Sequence, residues 1–465
     1  MDIPRLILAD ERRKGEVPPV ALVMSAMKQL RYPLRLFCAG VDEKLVLLLQ
    51  RICGQSVTVL DPFLCGSQKN LKSLFQQSAD SSALNIIIAP LGERSKEDMI
   101  TVSPLTIEVG RALGCGIVPI VYGDTAATLT ARTVENLVSQ CDGVAGGPAS
   151  VLAMLYMSVF NPREYQLLEI EQGRRTPLIS LGYIPAYLQR QWASLFELSL
   201  PERGSRFILA LRAAAAQLVG LVDQVDWASI AALATLDLRW SCPQDLNVRQ
   251  LSHFTVAVYD HPAFSLAGDN AEQLFSYLGC DVVRTSSFVS LSTHEIDAMY
   301  IPHGIGFLAA DVLIGDHETQ GQVKNLFLSR KPIMVNGGST PLLGQAFSLP
   351  GGRSYEGLGL FNYDGIFTLP DILEEGGPES LQIQSFTKGL FLDRGEKARG
   401  YRVPYARLLF KSSTERVLWG CVHPDSLQEI DQAGWELGYG VASHVVLELW
   451  SCAESVSNWL TLRKR

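Results

Sequence analysis

From Lys331 to Gln345 the chain reads K-P-I-M-V-N-G-G-S-T-P-L-L-G-Q. A short apolar run enters a glycine-rich turn and then a helix start, the pattern of a strand-turn-helix elbow. Such an elbow exposes one side chain on a strained turn and aims nearby backbone N–H groups at an oxyanion, so the residue at its tip decides the reaction. The tip here is Gly337, which has no side chain to attack with. Ser339 and Thr340 follow it, and His303 in M-Y-I-P-H-G-I-G could act as a base, so a Ser/His hydrolase arrangement has to be weighed. A serine at a helix start more often caps the helix, and that is the preferred reading. His303 and His261, the latter in D-H-P-A-F, are the imidazoles placed to meet a bound group, set against the ordinary role of a hydrogen-bonded structural histidine.

The chain that must position these residues has 465 residues, 47% of them hydrophobic, more than one core usually serves. Two α/β domains are expected, 1–243 and 244–465, with the break at Pro243 in the polar stretch S-C-P-Q-D-L-N-V-R-Q-L-S-H. In the first, I-P-R-L-I-L-A-D, P-L-R-L-F-C-A-G, Ala83–Pro90 and Gly116–Tyr122 read as strands with helical patterns between them, which predicts a doubly wound, mainly parallel sheet. Arg206–Leu233 is alanine-rich and reads as helix. In the second, strands are expected from Phe254, at Ala298–Ile301 and at Pro332–Val335, repeating the strand-helix theme without an internal sequence repeat.

Nine scattered cysteines, an odd number with no C-x-x-C pair, disfavour both a disulfide framework and a zinc site. A net charge of −8 without a long basic run leaves no footprint for nucleic acid. The start of the chain, with R-R-K after a brief apolar run, lacks the order of a signal peptide, and no run of about 18 apolar residues occurs, so a cytoplasmic protein without membrane contact is expected.

Several blocks resemble the cobyrinic acid a,c-diamide synthase family of cobalamin-pathway glutamine amidotransferases. Val256–Phe264 (V-A-V-Y-D-H-P-A-F), the block D-N-A-E-Q-L-F-S-Y-L-G-C-D-V-V and G-Y-G-V-A-S-H-V-V-L-E-L-W are similar to family blocks that flank the elbow. Phe37–Asp42, Val59–Gly66, Thr176–Pro185 and Leu200–Gly204 resemble others in the first half. It is the shared order of these blocks that carries the resemblance. It implies an N-terminal domain like P-loop NTPases and dethiobiotin synthetase, followed by a domain like class I glutamine amidotransferases. Aligned on the elbow, the family's catalytic cysteine falls on Gly337 and the glutamate before it on Asn336. Its catalytic histidine falls on Val446, its second histidine on Glu448, and its three-glycine turn on Pro302, His303 and Gly304.

The same alignment empties the phosphate loop. In place of G-x-x-x-x-G-K-T-T the chain has D-E-R-R-K-G-E-V-P-P-V, a degenerate loop that runs through Asp10, Lys14, Gly15, Val17 and Pro18. The family's lysine falls on Val17 and its hydroxyls on Pro18 and Pro19, and prolines remove backbone donors. Asp10, Glu11 and Glu16 bring negative charge toward a triphosphate. The family's magnesium-site carboxylates fall on Pro90 and Tyr122, with Asp124 or Glu93 the residues that a small slip in register would bring in.

The resemblance implies ATP-dependent amidation of tetrapyrrole side chains with ammonia from glutamine, and both half-reactions use residues that this chain lacks. No catalytic residue, metal or cofactor is therefore expected. The preferred expectation is a catalytically degenerate relative that binds a tetrapyrrole, through His261, His303 or Asn336, or a partner chain. The alternatives are an active synthase that uses ATP and magnesium with relocated residues or free ammonia, and a structural subunit in a homo-oligomer or in a complex with an intact homologue.

Overall fold

The computed structural model describes residues 2–13, 16–94, 99–142, 149–188, 201–221, 223–236, 240–261, 264–286, 295–309, 317–368, 378–410, 417–422 and 429–462. The chain divides into two compact units, Met1–Pro62 with Ser78–Pro243, and Phe63–Gln77 with Gln244–Arg465.

The first unit is built on a seven-stranded sheet. Its strands are β1 (Arg5–Asp10), β2 (Leu34–Ala39), β3 (Thr58–Leu60), β4 (Leu84–Pro90), β7 (Ile117–Tyr122), β8 (Ala153–Val159) and β9 (Ile179–Pro185), in the order β3-β2-β4-β1-β7-β8-β9. A two-stranded hairpin of β5 (Gly92–Arg94) and β6 (Ile100–Val102) lies between β4 and β7 in sequence. All the sheet's strand pairs are parallel, and β1, β4 and β7 are apolar runs buried almost throughout, as strands covered on both faces must be. Helix α1 (Val20–Gln29) is buried along eight residues, Val20 to Met27, because the sheet takes one side and the helix Pro201–Gly220 the other. Helix α2 (Glu43–Cys53) starts at Asp42, whose Oδ1 accepts the Leu45 amide at 2.9 Å, and stops at Gly54, where φ is +67°. The helix expected over Arg206–Leu233 is two helices, Pro201–Gly220 and Trp227–Leu233. The break lies where the backbone turns out to bridge β9: Val225 pairs with Gly182, and Asp226 donates its amide to Leu181 O and caps the second helix through Ser229 N.

The second unit has a ten-stranded mixed sheet. Strands β10 (Thr255–Tyr259), β11 (Asp281–Thr285), β12 (Ala298–Ile301) and β13 (Ile333–Asn336) run parallel in the order β11-β10-β12-β13. Here the strand-helix theme ends. Among the described residues from Ala346 to Glu448 the regular elements are strands: β14 (Ala346–Ser348), β15 (Ser354–Glu356), β16 (Tyr363–Phe367), β17 (Ser380–Ser385), β18 (Lys397–Arg402), β19 (Ala406–Phe410), β20 (Val417–Val422), β21 (Glu429–Leu437), β22 (Gly440–Ser443) and β23 (Val445–Glu448). β22 joins β13 in parallel, and β21, β20, β17, β18 and β23 continue the sheet antiparallel, while β14, β15, β16 and β19 form a separate four-stranded sheet. The segment Phe63–Gln77, which opens the helix Gln68–Ser78, is part of this unit. Asn70 Nδ2 donates to Trp450 O at 2.8 Å, and the Arg399 guanidinium lies over the Phe63 ring and donates to Phe63 O.

Candidate functional site

The elbow is formed as a strand-turn-helix, with β13 leading into a 3-10 helix, Gly337–Leu343, that contains Pro341. Gly337 takes φ +60°, the left-handed turn that such an elbow needs. A Cβ built there would lie 2.4 Å from His303 Nδ1 and 2.6 Å from Val446 Cγ2. A Cβ on Gly338 would lie 2.3 Å from Gly304 O. The space in front of the tip is therefore filled by the chain's own imidazole and valine.

His303 is fully buried. Its Nδ1 accepts the Gly338 amide at 3.0 Å, so a neutral ring carries its proton on Nε2, 2.9 Å from the Tyr405 hydroxyl. The ring stacks on Tyr405 and meets Tyr401 edge-on. In an elbow the N–H after the tip is an oxyanion donor; here it serves His303. Ser339 donates to Pro302 O, and Thr340 Oγ1 shares its proton between Gly337 O and Ser443 O, each at 2.7 Å. The capping position of the 3-10 helix belongs to Asn336, without a side-chain cap bond, so the expected cap at Ser339 gives way to a tie between two turns. Both His303 nitrogens point at groups other than Ser339.

Asn336 lies in the same cluster and is saturated. Its Oδ1 accepts the Leu447 amide at 2.8 Å, and its Nδ2 donates to Leu447 O at 3.0 Å and to the Tyr300 hydroxyl at 3.1 Å. Glu448 accepts from Asn270 Nδ2 at 2.7 Å and from the Trp450 amide at 3.2 Å. Burial pushes the Tyr300 phenol upward, against the Asn336 bond that lowers it. Sequence alone gives no sign of Tyr300 on β12, Tyr401 on β18 or Tyr405 in the turn before β19. His261 lies apart from this cluster, half-buried against Tyr259 and Phe264, and burial lowers its pKa while Asp260 raises it.

In the first unit the loop after β1 meets the ends of β4 and β7, the crevice where open α/β sheets hold ligands. Four ties cross it. Asp10 Oδ1 accepts from Arg12 Nε at 3.0 Å, and Arg12 Nη1 reaches Asp42 Oδ2 at 2.8 Å. Glu11 accepts from Arg94 at 2.7 and 2.9 Å and from the Tyr122 amide at 3.1 Å. Arg13 holds Asp124 in a two-point pair at 2.6 and 2.8 Å and lies 3.6 Å from the centre of the Tyr122 ring, whose hydroxyl donates to Glu16 at 2.8 Å. Burial raises the pKa of Asp10, while Arg12 and the Val20 amide pull it down. Val17 is buried, and Pro19 is the residue before α1. Lys14 and Gly15 lie outside the described residues. The basic cluster R-R-K was visible in the sequence; Arg94 was not. No group of three or more metal-ligating side chains occurs among the described residues, nor a helix long and apolar enough to cross a membrane.

No protein-family model matches the chain. Two curated relatives named cobyrinate a,c-diamide synthase are each 21% identical to it. The one from Listeria innocua serovar 6a matches over 364 residues, 77% of both chains, and the one from Listeria monocytogenes serotype 4b over 379 residues, 80% of both. Among solved structures, a glutamine amidotransferase overlays with a TM-score of 0.32 at 12% identity, covering 45% of this chain and 99% of that one. PurLQS from Thermotoga maritima overlays with a TM-score of 0.29 at 10% identity, covering 45% and 96%. The chain is thus distantly similar to cobyrinate a,c-diamide synthases along most of its length.

Proposed function

We propose that this chain is a non-catalytic relative of cobyrinate a,c-diamide synthases that acts by binding a partner chain, an amidotransferase homologue with an intact site being the class that fits best. One observation carries the reading: the place of a nucleophile's side chain at Gly337 is occupied by His303 and Val446, and the following amide already has an acceptor in His303. A thiol or hydroxyl at that tip would need both side chains to leave. Loss of nucleophile and base together lowers rates by roughly 10⁶ in enzymes where the unit has been dissected.

The first unit supports the same reading. A triphosphate needs backbone donors and a cation at the end of β1, and its magnesium ion needs free carboxylate oxygens. The chain offers Pro18, Pro19 and a buried Val17, and the Asp124 carboxylate that a slip in register would bring to a metal is paired with Arg13. These residues do not fit a magnesium nucleotide.

Binding of a tetrapyrrole with His303 as axial ligand is disfavoured by the same geometry, since a metal would have to displace either the Gly338 amide or the Tyr405 hydroxyl. The test is covalent labelling with an electrophilic glutamine analogue, followed by peptide mapping. No adduct is expected within residues 331–345. A stoichiometric adduct on Ser339 or Thr340 would reject the proposal.

A further inference from the structure

Strand β23 fills and braces the elbow: Val446 stands against the tip, and Leu447 exchanges two hydrogen bonds with Asn336. It is four residues long and last in the order of its sheet, with its backbone ladder running to β18. A short strand bonded along one side opens easily, so its seat depends on what holds its end. The groups at its C-terminal end bond Phe63–Gln77. Arg399, opposite Glu448 in the ladder, places its guanidinium 4.6 Å from the centre of the Phe63 ring and donates to Phe63 O. The 3-10 helix Leu449–Cys452 follows β23 directly, and there Asn70 Nδ2 donates to Trp450 O at 2.8 Å. Ser451 joins the two: its Oγ accepts the Arg399 amide at 2.9 Å and donates to Glu448 O at 2.7 Å, and a Cβ on Gly66 would lie 3.4 Å from Ser451 Cα.

In sequence, Phe63–Gln77 is the connection between β3 and β4. The chain leaves the first unit after Pro62 and rejoins it at Ser78, whose carbonyl accepts Arg35 Nε at 2.8 Å. A crossover between parallel strands ordinarily lays its helix on its own sheet; this one belongs to the other unit, with Leu71, Leu74 and Phe75 fully buried. We infer that Phe63–Gln77 is a clamp on β23: an excursion of the chain that seats the strand carrying Val446 and Leu447 and so keeps the elbow tip closed. Arg399 and Asn70 are its positioning residues, acting on the tip through β18 and the 3-10 helix. The clamp goes beyond the function proposed above and holds whether or not the elbow has chemistry of its own.

Amide hydrogen exchange of the full chain tests it. The reporter is Leu447, whose N–H bonds Asn336 Oδ1, and the controls are Val258 on β10 in the same unit and Ile87 on β4 in the other. Asn70→Ala removes the donor from Trp450 O and from Cys65 O. Exchange at Leu447 is expected to quicken about tenfold, the effect of losing one buried hydrogen bond, while Val258 and Ile87 keep the parent rate. Leu447 exchanging at the parent rate would overturn the inference. So would an equal quickening at all three amides, which is the mark of a general loss of stability. Should Asn70→Ala fail to fold, Arg399→Met is read in its place against the same outcomes, since it keeps an apolar stem near Phe63 and loses the bond to Phe63 O. Neither glutamine nor ATP enters the measurement, so failure here leaves the proposed lack of turnover standing.

Discussion

Gly337 keeps the turn of an elbow at a tip that carries no side chain. The left-handed φ of +60° is what an elbow tip uses, and glycine reaches it without strain. Any larger residue carries two penalties, a left-handed backbone worth roughly 1–2 kcal/mol and a collision with His303 Nδ1 at 2.4 Å. Gly337→Ala is therefore expected to destabilise the protein by about 2–4 kcal/mol in denaturant unfolding. In the His303→Ala background the collision with the imidazole is relieved and that with Val446 Cγ2 at 2.6 Å remains, so the same change should cost about 1 kcal/mol less. Equal costs in both backgrounds would mean that His303 does not fill the tip. That the tip of the elbow is a glycine was legible from the letters N-G-G-S-T. That the hole behind it is occupied was not, because His303, Val446 and Tyr405 meet there only through the fold.

Among elements, the ten-stranded sheet is the part that sequence patterning described least well. The parallel strands β1, β2, β4, β7, β10, β12 and β13 followed from apolar runs alternating with helical periods, whereas β14 to β23 are mostly half-polar strands paired mainly antiparallel with weaker signatures. Asn336 has a use there that its place beside the tip did not announce. Its carboxamide exchanges two hydrogen bonds with the backbone of Leu447, as a neighbouring strand residue would, and so bridges β13 to β23 although the two are not adjacent in the sheet order. Asn336→Asp keeps the acceptor and removes the donor, leaving Leu447 O and the Tyr300 hydroxyl without it and setting a carboxylate beside a carbonyl. A loss of about 1–3 kcal/mol in unfolding free energy at neutral pH is expected, recovered in part at pH values low enough to protonate the new acid. A variant as stable as the parent at neutral pH would show that the bridge contributes nothing. The break between the helices Pro201–Gly220 and Trp227–Leu233 escaped the sequence for a related reason: alanine-rich composition favours helix locally, but pairing of Val225 with Gly182 outweighs it.

At the scale of the whole molecule, internal contacts fill the elbow tip of one unit, with an imidazole and a valine, and the loop after β1 in the other, with paired arginines and carboxylates. The distant similarity to cobyrinate a,c-diamide synthases runs over about four-fifths of the chain and so reaches into both units. The assignment of Phe63–Gln77 to the second unit was hidden, since D-P-F-L-C-G reads as an ordinary turn and nothing near it in sequence names Trp450 or Arg399 as its neighbours. The proposal that nothing is turned over in either unit is exposed most directly by one assay. Purified full-length protein is incubated with glutamine, ATP and magnesium, and glutamate and ADP are followed by NMR. Both are expected to form no faster than in a blank without protein. Glutamate or ADP released in proportion to protein concentration, and abolished by heat denaturation, would contradict it.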